Sequence, residues 1–143
     1  MRAAARKWQA SGQLQVLVVY IEEAHASDEW PVGALTSVCA QPKSLAERCE
    51  LARHTAAALF GGEATDAASA SGGGERDAGV PSVVVDTMEN NFADLLGAWP
   101  LRFFVLGGDS GGELLFKAEP TVGAGRGYDL EDVDKWLARE LRE

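Results

Sequence analysis

The chain has 143 residues, 46% of them hydrophobic and 24% charged, and a formal net charge of −9. This length suits one domain with a real core, and the composition excludes a disordered or fibrous class. Acidic and basic residues are interspersed with acid in excess, which argues against a phosphate-binding surface, so nucleic acid and anionic membranes are not expected partners.

The N-terminus is basic and rich in alanine but lacks an apolar signal core, so residues 3–10 are read as the end of a helix, stopped by Ser11-Gly12. Leu14 to Ile21 is a continuous β-branched and apolar run, the pattern of a parallel strand buried on both faces. Its apolar core is far shorter than the ~20 residues that cross a bilayer, so no membrane segment is expected in this chain. Residues 26–43 carry Pro31, Gly33 and Pro42 and are read as loop. Ser44-Leu45-Ala46-Glu47 is a capping box opening a helix with a core stripe of Leu45, Cys49, Ala52, Ala56 and Leu59, closed by Gly61. Residues 61–79 hold almost only Gly, Ala, Ser, Thr and charged residues, the composition of a flexible insert within one domain spanning 1–143.

Val80 to Val85 is a second buried strand, and Asp86-Thr87 caps a short helix over Glu89 to Leu96. Leu101 to Leu106 and Glu113 to Lys117 flank Gly107, Gly108, Gly111 and Gly112, which serve a hairpin and not a phosphate loop, because no helix follows them. The last helix opens at Asp129, with Tyr128 and Val133 as a hydrophobic staple and Val133, Trp136, Leu137 and Leu141 as its buried face. The order (α)βαβαββα predicts an α/β fold with a mixed sheet covered on both faces, and its ending is that of thioredoxin-like, including peroxiredoxin-like, folds.

Ligands of open α/β sheets bind beyond the carboxyl ends of parallel strands, where this chain carries Glu22-Glu23-Ala24-His25. With extended backbone, Glu23 and His25 project to the same side, and a carboxylate beside an imidazole can hold a tautomer and move a proton. The alternative, that these residues solvate a strand end, stays open on spacing alone. Ser27 and Asp28 suit a turn cap, and His54 a solvated helix position. Trp30 and Trp99 either line a pocket or pack. Cys39 and Cys49 lack CxxC and metal-ligand spacing, so no disulfide framework and no metal site is expected, and both suit a reducing, cytoplasmic compartment.

The segment Val19-Tyr20-Ile21-Glu22-Glu23-Ala24-His25-Ala26-Ser27-Asp28-Glu29-Trp30 resembles the signature of the iodothyronine deiodinases. Further matches are Ser44-Leu45 with Glu47-Arg48, Val85-Asp86-Thr87-Met88 with Asn90, Gly97-Ala98-Trp99-Pro100 with Arg102, and Gly127-Tyr128. The resemblance runs over nearly the whole chain from residue 14. It implies a thioredoxin-fold enzyme for reductive dehalogenation, with Tyr20, Glu23 and His25 as catalytic residues and Arg102 and Trp30 as substrate-binding residues, a structural salt bridge being the alternative role for Arg102. It further implies a small halogenated aromatic substrate, an external thiol reductant and no bound cofactor, and it is compatible with a homodimer.

In the family the nucleophile, a selenocysteine or cysteine followed by proline, precedes the signature, and neither Cys39 nor Cys49 aligns with it. The expectation is therefore an N-terminally truncated selenoprotein, lacking its central first strand and inactive alone, with the selenocysteine encoded upstream of Met1. Pro42 stands where animal members carry a histidine, Val80-Pro81 where some carry a cysteine, and Val122 to Arg126 replaces a glycine-rich GRGP segment. The competing readings are a peroxiredoxin-like thiol oxidoreductase and a non-catalytic binding module on the same fold.

Overall fold

The computed structural model describes residues 2–10, 12–60, 81–108, 112–118 and 130–141. The elements are α1 (Arg2–Gln9), β1 (Leu17–Tyr20), α2 (Leu45–Phe60), β2 (Ser82–Val85), α3 (Asn91–Leu96), β3 (Phe104–Leu106), β4 (Leu114–Lys117) and α4 (Leu130–Glu140), the α/β order expected. The expected insert at 61–79, the Tyr128 staple and the Asp129 helix start lie outside the described residues. The chain divides into two compact units, Met1–Leu96 and Gly97–Glu143.

In the first unit β1 and β2 pair in parallel, Leu17 with Ser82 through Tyr20 with Val85, and the ladder runs on into Asp86 N–H donating to the Tyr20 carbonyl at 2.8 Å. The strand expected over Leu14 to Ile21 is thus shorter. It is also not buried on both faces: Leu17 is exposed and Val18 to Tyr20 are half-buried, because the sheet formed by β1 has two strands. The core joins Ala5 of α1 to Ala56 and Phe60 of α2, with Val16, Val18, Leu59 and Val83 half-buried against them. These seven side chains remove apolar surface from water between two helices and a sheet.

The α2 cap forms with one variation. Glu47 N–H donates to Ser44 Oγ at 3.3 Å, but the Glu47 carboxylate accepts from the Lys43 amide at 2.7 Å, one residue earlier than in the usual box. The buried face also differs from the expected stripe. It runs Arg48, Ala52, Ala56, Phe60, while Leu45 is 50% exposed and Cys49 and Leu59 are only half-buried. The helix is rotated toward Arg48 because that guanidinium answers the carbonyls after β2, a demand that apolar periodicity does not register.

Asp86 organises the next turn. Its carboxylate accepts from the amides of Thr87 at 2.8 Å, Phe92 at 2.9 Å and Ala93 at 2.9 Å, and Thr87 Oγ1 accepts from Asn91 at 3.3 Å. Asn90 adopts a left-handed conformation (φ 56°), so α3 begins at Asn91 and not at Glu89 as expected. Gly97, at φ 60°, follows the helix as a left-handed terminator. Asp86→Ala strips a buried carboxylate from two amides of the first turn of α3 and from the Thr87 amide, and is expected to cost about 2 kcal/mol or more. Urea denaturation reads this loss, and an unchanged midpoint would show that the cap contributes nothing.

The second unit is a hairpin and a helix. β3 and β4 pair antiparallel, Phe104 with Lys117 and Val105 with Phe116, with a bulge between Val105 and Leu106. The turn closes through Gly107 N–H to the Glu113 carbonyl at 2.8 Å, and Gly112 sits at φ 91°, where a side chain is strained. On α4, Val133 and Leu137 are buried and Trp136 stacks on Phe116 with ring centroids 5.4 Å apart, as the expected apolar face requires. Among the described residues the strands form one parallel and one antiparallel two-stranded sheet, not the single mixed sheet expected. Among the described residues no helix is long and apolar enough to cross a membrane.

Candidate active site

Beyond Tyr20 the backbone leaves β1 and turns at residues 24–25, so Glu23 and His25 do not continue an extended strand. The loop from 21 to 43 is pinned to itself instead. Gln41 does most of this: its side-chain oxygen accepts the Glu23 amide at 2.9 Å and its side-chain nitrogen donates to the Glu23 carbonyl at 3.1 Å, so one side chain completes the backbone bonding that a neighbouring strand would supply. The Gln41 amide donates to Asp28 Oδ1 at 2.8 Å, and the Ser27 amide to the Cys39 carbonyl at 2.8 Å. Asp28 thus pins a segment thirteen residues along, and not its own turn as the expected cap would.

These pins bring three titratable side chains together. Tyr20 Oη donates to Glu23 Oε1, and the Cys39 thiol hydrogen-bonds the same carboxylate. Burial pushes the Glu23 carboxyl above the usual carboxylate range, and the Cys39 hydrogen bond pulls it partly back. Burial, then the charges of Glu23 and Asp28, then the bond to Glu23 push the Cys39 thiol above the ordinary thiol range. A carboxyl of this kind retains a proton at higher pH than an exposed one, while the thiol is disfavoured as a nucleophile.

His25 is half-buried and meets Trp30 edge-on, with ring centroids 6.4 Å apart. Its Nδ1 is buried and has no hydrogen-bond partner among the described residues. Glu23 takes Tyr20 and Cys39 as partners and not His25, so carboxylate and imidazole stand two residues apart without the direct contact that an extended backbone implies. Trp30 is 62% exposed. Arg102 lies half-buried in the second unit, on the approach to β3. His54 is an exposed helix residue 3.9 Å from Glu50, as expected.

The neighbouring Glu22 faces a different network. Asn90 Nδ2 donates to Glu22 Oε2 at 2.7 Å, and Asn90 Oδ1 accepts from Arg48 Nη1 at 2.9 Å. Arg48, 2% exposed, also donates to the Thr87 carbonyl and, at 3.5 Å, to that of Asp86. This chain of bonds ties the mouth of β1 to the β2–α3 turn and to α2. Among the described residues no cluster of three His, Cys, Asp or Glu stands ready for a metal ion. Sequence reasoning attached no role to Gln41, Cys39, Arg48 or Asn90. Arg48 had a signal, since it lies four residues before Ala52 on the apolar face, whereas nothing local marks Gln41.

This α/β chain carries a phenol at the end of its parallel strand β1 and, just beyond it, a half-buried carboxyl with raised proton affinity and an imidazole. It belongs to the iodothyronine deiodinase family, whose profile matches residues 7–141. Thyroxine 5-deiodinase from Rattus norvegicus is 28% identical over 124 residues, covering 86% of this chain and 32% of that protein. Thyroxine 5-deiodinase from Mus musculus matches to the same extent. The chain spans about a third of the length of these curated relatives. No solved structure matches.

Proposed function

We propose that these residues form the proton-delivering part of a reductive dehalogenase of the deiodinase type, acting on a small iodinated aromatic. The observation that carries the reading is the half-buried Glu23 carboxyl, held by Tyr20 and Cys39 at the carboxyl end of β1 with its proton affinity raised. Removing iodine as an electrophile leaves the ring carbon needing a proton, so an acid must stand at that carbon. An incoming selenolate or thiolate would accept the iodine as the C–I bond breaks, and two equivalents of a thiol reductant would release it as iodide, ending as a disulfide. Glu23 holds the proton to be delivered, and Tyr20 fixes the carboxyl by donating to Oε1. His25 offers its buried, unpartnered Nδ1 to a polar group of the substrate, and Trp30 offers an exposed aromatic face to its ring.

The fold we propose for the whole is thioredoxin-like. The parallel β1–β2 pair with α2 between them in sequence, followed by an antiparallel hairpin and a closing helix, supports it. Both cysteines are free, in keeping with a reducing cytoplasmic setting.

The test is thiol-dependent iodide release from a panel of iodinated phenols and iodothyronines by the full-length protein, in its selenocysteine or cysteine form. Release that needs both reductant and iodinated ring supports the reading. Absence of release together with thiol-dependent reduction of hydroperoxides would overturn it in favour of a peroxiredoxin-like activity.

A further inference from the structure

We propose that Gln41 is a positioning residue for Glu23: its carboxamide takes the place of a neighbouring strand beyond the end of β1, holding both backbone groups of Glu23 and so setting where that carboxyl stands. The inference deepens the reading of Glu23 as proton donor and rests on it for its catalytic meaning.

The ladder between β1 and β2 closes with the Asp86 amide on the Tyr20 carbonyl at 2.8 Å, and the chain turns at residues 24–25. Glu23 lies between these points, half-buried and outside any strand, so its amide and carbonyl need partners from elsewhere. Gln41 supplies both: Oε1 accepts from the Glu23 amide at 2.9 Å, and Nε2 donates to the Glu23 carbonyl at 3.1 Å. A residue in an antiparallel hydrogen-bonded pair receives the same donor and acceptor from the residue opposite it. The two bonds also fix the carboxamide, since only its oxygen can face the N–H and only its nitrogen the carbonyl.

Gln41 is itself anchored at points independent of Glu23. Its backbone amide donates to Asp28 Oδ1 at 2.8 Å and its Nε2 to Glu29 Oε2 at 3.4 Å. Two residues earlier the Ser27 amide holds the Cys39 carbonyl at 2.8 Å, and two residues later the Lys43 amide donates to the Glu47 carboxylate of α2 at 2.7 Å. Glu22 is braced separately, by Asn90 at 2.7 Å, which Arg48 holds in turn at 2.9 Å. With residue 22 tied through its side chain and residue 23 through its backbone, only the side-chain torsions of Glu23 remain free, and Tyr20 Oη bonds its Oε1. Loss of the Gln41 carboxamide leaves the ladder and the Glu22 brace in place and releases Glu23 alone. An acid misplaced by about 1 Å can lose about 10²-fold in rate, so this release is felt in the chemical step.

Two measurements test this. Hydrogen exchange of the 143-residue chain, followed by NMR, is expected to show the Glu23 amide protected in wild type. In Gln41→Met, which fills similar space without donor or acceptor, that amide should exchange roughly three- to tenfold faster, the worth of one hydrogen bond. The Asp86 amide, which reads the β1–β2 ladder, should keep its rate. An unprotected Glu23 amide in wild type, or equal rates in the two proteins, overturns the proposal. Parallel loss at Asp86 also overturns it, because Gln41 then merely stabilises the fold. If Gln41→Met fails to fold, Gln41→Asn, whose carboxamide stops one methylene short, serves in its place. In the full-length protein, Gln41→Met is expected to lower kcat for thiol-dependent iodide release by roughly ten- to a hundredfold with KM for the iodinated ring unchanged. The same change in Glu23→Gln protein should cost little more, because Gln41 acts through Glu23. Losses that multiply, or a raised KM at constant kcat, overturn the positioning role and leave the acid role of Glu23 standing. Exchange involves no turnover, so absence of iodide release from wild type sinks the acid reading while the exchange rates still decide the clamp.

Discussion

Arg48→Met is expected to lower the unfolding free energy by about 2 to 4 kcal/mol, the largest loss of any single substitution considered for this fold. Methionine retains most of the aliphatic stem, so the change isolates the guanidinium from its packing. What is lost is a donor set at a site 2% exposed, where the carbonyls of Thr87 and Asp86 and the side-chain oxygen of Asn90 depend on Nη1. Each buried acceptor left without a donor costs about 1 to 3 kcal/mol, and relief of the desolvation of the buried cation offsets part of the sum. Arg48→Lys restores the charge on a side chain one bond shorter than the reach of Nη1, so only partial recovery is expected. Urea denaturation of the three proteins checks this, and a loss below about 1 kcal/mol for methionine would show that the network merely decorates the turn.

The second large effect concerns chemistry. In the full-length protein, Glu23→Gln is expected to reduce iodide release by about 10²- to 10⁴-fold, the usual contribution of a positioned acid. Its signature is in the pH profile. A carboxyl with raised proton affinity delivers its proton while protonated, so the rate is sustained at pH values where an ordinary carboxylate is already ionised, and it declines as pH rises through the Glu23 midpoint. Glutamine has no proton to lose, and that declining limb should vanish with the rate. Stability follows the same sign. A folded-state midpoint above the unfolded one contributes stability that is complete below the unfolded midpoint and is lost as pH rises through the folded one, so Glu23→Gln should be no less stable than wild type at neutral pH. His25→Ala is expected to fall in the same activity range with its far-ultraviolet spectrum intact, and unchanged release would remove His25 from the substrate contacts.

Much of this was legible in the residues because it is local. Ser44 with Glu47, Asp86 with Thr87, and Gly97 mark helix ends through bonds or backbone conformations spanning only a few positions, and the structure uses them with Glu47 bonding the Lys43 amide and α3 opening two residues later than expected. The hairpin was legible from glycines between two apolar runs, and α4 from the spacing of Val133, Trp136 and Leu137. The position of Tyr20, Glu23 and His25 at and just beyond the end of a parallel strand was legible. Their partnership was not. An extended backbone implied a Glu23–His25 pair, but the chain turns at residues 24–25, and a thiol sixteen residues further along reaches the carboxylate instead.

What the sequence determined by itself, then, was the α/β element order, the family signature and the acid-bearing strand end, since each rests on short-range pattern or on residue identity. Only the tertiary structure decided the rotation of α2 toward Arg48, the bracing of Glu22 by Asn90, and the setting of Glu23 by Gln41 and Cys39. Those choices depend on which buried polar groups must find partners once distant segments meet, and that accounting exists only in three dimensions.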